Sequence, residues 1–172
     1  AAGDFVTAKV DLAAVLDVAG PHVAKAFKEL GAKKIWDKDK VMGFLDAVPA
    51  SSVQAAENQK TFRDFGQRMG FRFAPYGEGI YHEILVDRGW VWPGELAVVT
   101  DSHACTLGAL GAYYTGIGIS DMALVLASGE LWFKVPETIK YILTGRLPSM
   151  INAKDIILKI IGKGGLAKAT YC

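Results

Sequence analysis

Asp101-Ser102-His103 sets a carboxylate, a hydroxyl and an imidazole in succession directly after Glu95–Thr100, the clearest strand of parallel type in the chain. Such a set offers an acid or base, a hydrogen-bond donor and a second proton carrier. In open α/β sheets ligands bind outside the carboxyl ends of the strands, so a strand tip is where these groups can act. Three adjacent residues cannot all face one way from a strand, which argues against a nucleophilic triad. Asp101 and Ser102 acting only as caps of the following turn remains an equal reading at this point. A second strand tip, after Val41–Leu45, carries Asp46. His82 lies inside the apolar segment Ile80–Leu85, where a lone histidine is more often a satisfied core residue than a ligand. His22 falls off the apolar face of a helix and reads as solvated. Three scattered histidines with Cys105 and Cys172 have no zinc spacing, so no metal ligand is assigned. Gly108-Ala109-Leu110-Gly111 fits neither the phosphate-loop nor the dinucleotide pattern.

The elements that must position these groups follow from periodicity. Val6–Leu12 alternates as a half-buried strand. Pro21 opens a helix with Val23, Ala26, Phe27 and Leu30 on one face, closed by Gly31. Val41–Leu45 reads as a buried strand, and Ser51 with Gln54 as a capping box. The helix they open carries Ala55, Phe62, Phe65 and Met69 inward and ends by Gly70. A helix is predicted from Ser120 to Ser128 and a strand through Ile139, Tyr141 and Leu143. Asn152 caps a last helix with Ile156, Ile157, Ile160 and Ile161 inward, stopped at Gly162. Strands alternating with helices argue an α/β fold, a largely parallel sheet flanked by helices. No composition break appears, which reads as a single domain over residues 1–172.

Composition excludes several classes. Of 172 residues 51% are hydrophobic and 22% charged, which excludes intrinsic disorder. Nineteen Lys and Arg against 18 Asp and Glu give a net charge of +1, so there is no basic field for nucleic acid or an anionic membrane. No stretch approaches the ~20 apolar residues of a membrane span. Glycine, at 19 residues, exceeds its share of roughly 7% and points to tight turns. Ala1 runs straight into the alternating pattern, which reads as a chain without a secretory leader, processed or truncated at its start. Two unpaired cysteines suit a reducing, cytoplasmic setting.

The run Asp101-Ser102-His103-Ala104-Cys105-Thr106-Leu107-Gly108-Ala109-Leu110-Gly111 resembles the signature of the aconitase superfamily, an Asp-Ser-His followed by a glycine-rich stretch. Phe27-Lys28-Glu29-Leu30-Gly31, Ala56-Glu57-Asn58-Gln59, Gly77-Glu78-Gly79-Ile80, Leu131–Lys140 and Ala153–Leu158 extend the likeness in order over nearly the whole chain. Within the superfamily it is most similar to the first part of the large subunits of 3-isopropylmalate dehydratase and homoaconitase. The resemblance implies an aconitase-like domain, part of a longer large subunit. It implies an iron–sulfur-dependent hydro-lyase that moves a hydroxyl between adjacent carbons of a 2-hydroxy di- or tricarboxylic acid through an enoic acid. Asp101, His103 and His82 match family residues around the hydroxyl or water held at the iron, Ser102 matches a residue near the substrate carboxylate, and Asp46 is a retained pocket residue. A [4Fe-4S] cluster is implied for the complete enzyme. Its three cysteine ligands lie beyond this chain, since Cys105 matches a position that is not a ligand and two cysteines cannot supply three thiolates. The implied partners are the remainder of the large subunit and a small subunit or swivelling domain carrying the catalytic serine.

Departures from the pattern concern proton carriers. The family's Asp-His becomes Asp46-Ala47, and its His-Asp-x-Thr or Gln-Asp-x-Thr becomes Leu16-Asp17-Val18-Ala19. Tyr81 and Glu83 flank His82 where a small residue and Gln are usual. Alanine cannot carry a proton, and losing a general acid costs ~10²–10⁴-fold in rate. The rival expectation is therefore a catalytically degenerate paralogue that binds a carboxylate or a partner subunit without turnover. A cluster-independent hydrolase using Asp101 and His103 lacks a nucleophile paired with the histidine.

Overall fold

A computed structural model describes residues 1–45, 49–102 and 104–164. The chain forms two compact units, one of residues 7–131 and one of residues 1–6 with residues from Trp132 onward. The larger unit is built on a five-stranded sheet of β2 (Leu12–Leu16), β3 (Val41–Phe44), β4 (Arg72–Phe73), β5 (Leu96–Val99) and β6 (Tyr113–Gly116), in the order β4-β3-β2-β5-β6. Every pairing in it is parallel, with Leu16 beside Phe44, Ala14 beside Val99, and Val99 beside Gly116. The α/β expectation, a parallel sheet flanked by helices, is borne out.

Parallel strands are covered on both faces, so their sequences lose the alternation that marks a half-exposed strand. Leu12-Ala13-Ala14-Val15-Leu16 is buried at all five positions. The alternating stretch Val6–Leu12 divides between this central strand and the mostly exposed β1 (Phe5–Lys9), which pairs with β7 (Glu130–Lys134) in a separate ribbon. Neither β6 nor β7 shows a strand period in the sequence. On one face of the sheet Leu12, Ala14, Leu16, Met42, Phe44, Val99 and Tyr114 pack against Tyr81, Ile84 and Leu85 of the short helix α3 (Tyr81–Asp87). Helices α1 (Gly20–Glu29), α2 (Val53–Met69) and α4 (Ile119–Ser128) bury Val23, Phe27, Phe62, Phe65, Met122 and Leu126. Each such apolar side chain is worth about 1.5–3 kcal/mol of burial.

Helix ends follow the sequence closely, with one shift. Pro21 stands in the first turn of α1, and α2 ends at Gly70, which takes the left-handed conformation with φ +81°. The cap of α2 is Ser52 rather than Ser51: its hydroxyl accepts from the Ala55 amide at 3.1 Å, while the Gln54 amide donates to Asn58 one turn on. Leu30, expected inward on α1, is exposed.

The smaller unit carries the clearest departures. Val135 exchanges backbone hydrogen bonds with Gly3 and Asp4, and Phe5 meets Trp132 at 5.9 Å between ring centres. Ile139, Tyr141 and Leu143 form no strand and are exposed, because alternation makes a strand only where a neighbour supplies the ladder. Asn152 does cap helix α5 (Ala153–Gly164), accepting from Lys154 while its own amide donates to Asp155. The helix runs past Gly162, and none of its residues is buried; Ile157 and Ile161 are exposed rather than inward. Among the described residues no helix is long and apolar enough to cross a membrane.

Candidate active site

After β2 the chain builds outward through β3 to β4, then crosses back to place β5 on the other side of β2. The tips of β2 and β5 therefore flank the switch point of the sheet, where the outgoing chains diverge and leave a crevice. The tips are tied together: the Leu16 amide donates to the Thr100 hydroxyl at 3.0 Å, and the Thr100 amide to the Ala14 carbonyl at 3.2 Å. A cleft of about 380 Å³ opens there. Leu16, Val18, Phe44 and Ile80 form its apolar wall, and Tyr81, His82, Thr100 and Asp101 its polar side.

Asp101 and His82 come from different elements and meet. Nε2 of His82 stands 3.7 Å from Oδ2 of Asp101, with the two side chains only 18% and 22% exposed. Nδ1 of His82 lies 3.5 Å from the hydroxyl of Thr106, on the 3-10 turn after β5. His82 is thus neither a core residue nor a solvated one, but half-buried in a cleft wall beside a carboxylate. The Tyr81 phenol donates to the same Oδ2 of Asp101. Burial above all, then that hydrogen bond and the charge of Asp101, pushes the Tyr81 phenol far above its ordinary value and keeps it a donor. Tyr114, on β6, is pushed up likewise, by burial first and then by the charges of Tyr81 and Asp101. Its hydroxyl is buried with no hydrogen-bond partner among the described residues.

Ser102 faces a second opening, of about 440 Å³, with Thr100, Asp101, Ala104, Cys105 and Gly118. Asp101 borders both clefts, and its carboxylate faces the imidazole of His82. Gly116 makes this turn possible: a β-carbon there would lie 1.9 Å from the Asp101 carbonyl oxygen. Asp46 and His103, with Ala47, lie outside the described residues. A separate polar pair sits beneath the tips of β2 and β3. Asp17, 3% exposed, accepts from the Gln59 amide at 3.1 Å, and the same amide nitrogen donates to the Leu45 carbonyl at 3.0 Å. It tethers α2 to two strand ends.

Sequence reasoning missed Tyr81, Thr100, Thr106 and Tyr114 as members of the site. Tyr81 is visible only as a departure beside His82; a phenol inside an apolar helix face is a signal, since a buried hydroxyl calls for a polar partner. Cys105 is an exposed free thiol, and among the described residues no cluster of three His, Cys, Asp or Glu could hold a metal ion.

A doubly wound sheet whose switch point brings a carboxylate, an imidazole and a phenol together is a frame suited to proton transfer. Residues 3–171 match the model of the aconitase family (aconitate hydratase), and the chain belongs to that family. It is similar to the 3-isopropylmalate dehydratase large subunit 1 of Methanopyrus kandleri, 47% identical over 172 aligned positions that cover 99% of this chain and 41% of that protein. The large subunit 1 of the same name from Archaeoglobus fulgidus is 50% identical over 173 residues, again 99% and 41%. The 3-isopropylmalate dehydratase large subunit of Aquifex aeolicus is 43% identical over 171 residues, 98% of this chain and 40% of that one. The chain thus spans about two fifths of the length of the curated relatives it matches.

Proposed function

We propose that the chain forms one wall of the active site of an aconitase-family hydro-lyase, in its large subunit. The substrate class is a 2-hydroxy di- or tricarboxylic acid such as 3-isopropylmalate or homocitrate, interconverted with its isomer through an enoic acid. The observation that carries this reading is the convergence of His82 and Asp101 on one cleft at the switch point of the sheet. A hydroxyl leaving from that cleft needs a proton, and Nε2 of His82 or Oδ2 of Asp101 can hold one within 3.7 Å of the other. Leu16, Val18, Phe44 and Ile80 give the same cleft an apolar wall. Ser102 is assigned to a substrate carboxylate, and Asp46 and His103 to the site, by their match to the family pattern.

The chain's own residues do not fit a [4Fe-4S] site. Its two cysteines are too few, and Cys105 stands exposed and without neighbouring ligands among the described residues. The cluster of the complete enzyme is therefore held by residues outside this chain. The partners in this reading are the rest of the large subunit and a small subunit or swivelling domain that brings the serine base. A cytoplasmic setting goes with it.

The test is an assembly of this chain with its missing large-subunit part and small subunit, reconstituted anaerobically. Iron and sulfide analysis with electron paramagnetic resonance reports the cluster, and ultraviolet absorbance reports the conjugated enoic acid. Cluster and enoic acid together support the proposal; an assembly that takes up no cluster overturns it. A second reading, the degenerate paralogue, is favoured by Leu16, which puts a side chain unable to carry a proton on the cleft wall. Ala47→His separates the two. Gain of ~10²-fold or more in turnover means that only an acid was lacking; continued inactivity of a cluster-loaded assembly favours binding without turnover.

A further inference from the structure

One oxygen of Asp101 serves two neighbours. Oδ2 accepts the Tyr81 phenol, and Nε2 of His82 stands 3.7 Å from the same atom. Tyr81 and His82 are consecutive in the first turn of α3, with ring centres 3.9 Å apart and ring planes 37° from parallel. Their approaches to the carboxylate are therefore coupled. An opposite charge favours a proton on an imidazole, and a donor already seated on the carboxylate draws off part of that charge. We propose that Tyr81 is a positioning residue: its phenol anchors Oδ2 of Asp101 and thereby loosens that carboxylate's hold on a proton at His82. The imidazole is then closer to its neutral form near neutral pH, the form able to accept a proton. Among the described residues, the groups facing the pair include Asp101 from the tip of β5, Tyr114 from β6, Thr106 from the following 3-10 turn, and Tyr81 on α3 itself. The consequence for catalysis rests on the proposed hydro-lyase reading, but the titration is read on the chain without turnover, so either can fail alone.

The experiment is a pH titration of the imidazole resonances by nuclear magnetic resonance, on the 172-residue chain. The exposed His22 serves as internal reference. Tyr81→Phe keeps the ring and removes the donor; the His82 pKa rises by about 0.5–1, roughly 3–10-fold in proton affinity. Asp101→Asn lowers it, and in that background Tyr81→Phe adds nothing. Incorporating 3-fluorotyrosine, a stronger phenol donor, lowers the His82 pKa and provides an arm that does not depend on Tyr81→Phe folding. An unchanged or lowered His82 pKa in Tyr81→Phe overturns the proposal. So does a Tyr81→Phe effect of the same size with and without the Asp101 charge, or a rise with fluorotyrosine.

Discussion

Gly116→Ala is the sharpest perturbation of the frame that carries the site. Gly116 ends β6 with a backbone outside the left-handed region, so alanine there meets no torsional penalty. The cost is contact. The new β-carbon would stand 1.9 Å from the Asp101 carbonyl oxygen, 3.0 Å from the carbonyl carbon and 3.7 Å from the Ser102 α-carbon. Carbon–oxygen contacts begin near ~3.3 Å, so the tips of β5 and β6 must part by about 1.4 Å. Overpacking against yielding side chains costs about 1–3 kcal/mol, and these neighbours are backbone, so a loss of about 3 kcal/mol is expected. For a chain of this size that lowers Tm by roughly 6–12 °C. Gly108→Ala is the matched control, since a β-carbon there meets nothing within 4 Å and the backbone is again ordinary. It should be neutral or stabilising by up to about 1 kcal/mol through the unfolded chain. Urea denaturation followed by circular dichroism compares the two, and the His82 titration reports whether Asp101 has moved. Equal stability of the two variants, with an unmoved His82, would refute the claim that close backbone contact under Asp101 builds the site.

Gln59→Met removes the amide that serves both Asp17 and the Leu45 carbonyl and should cost about 1.5–3 kcal/mol in urea denaturation, because hydrogen bonds to a charged group are the stronger ones; a change under about 0.5 kcal/mol contradicts the tether. Both Tyr81 and Tyr114 keep their protons in the folded chain beyond the pH at which free phenols lose them. Above pH ~10 the unfolded chain therefore binds fewer protons than the native one, and stability, full below that pH, falls as pH rises. Denaturation midpoints measured upward from neutral pH should decline less steeply in Tyr114→Phe than in the unsubstituted chain, and identical slopes would count against the buried phenol.

Much of the fold is legible in the sequence because its helices announce their ends. Pro21, Gly70 and Asn152 all act as their types require, and Leu96–Val99 reads as a buried strand from its unbroken apolar run. Leu12–Leu16 is harder, since a strand covered on both faces has no period of two and its last residue runs into a polar motif. Tyr113–Gly116 is hidden by its glycine, which is there to let β6 pass under Asp101. The alternation of Ile139, Tyr141 and Leu143 misleads because period alone does not supply a pairing neighbour. In the site, Asp101 and Ser102 are legible from the strand tip they follow, while His82 becomes legible through the family likeness. Spacing could not bring Tyr81 to Asp101: the two are 20 residues apart, and their meeting depends on how α3 lies across the sheet.

Replacing His82 by glutamine in the reconstituted assembly tests the account at its centre, because glutamine keeps a polar side chain of similar reach but cannot cycle a proton. Formation of enoic acid should fall by ~10²-fold or more in kcat, with KM little changed and the cluster content unaltered. Turnover equal to that of the unsubstituted assembly would contradict the claim that His82 and Asp101 share a working proton in this cleft.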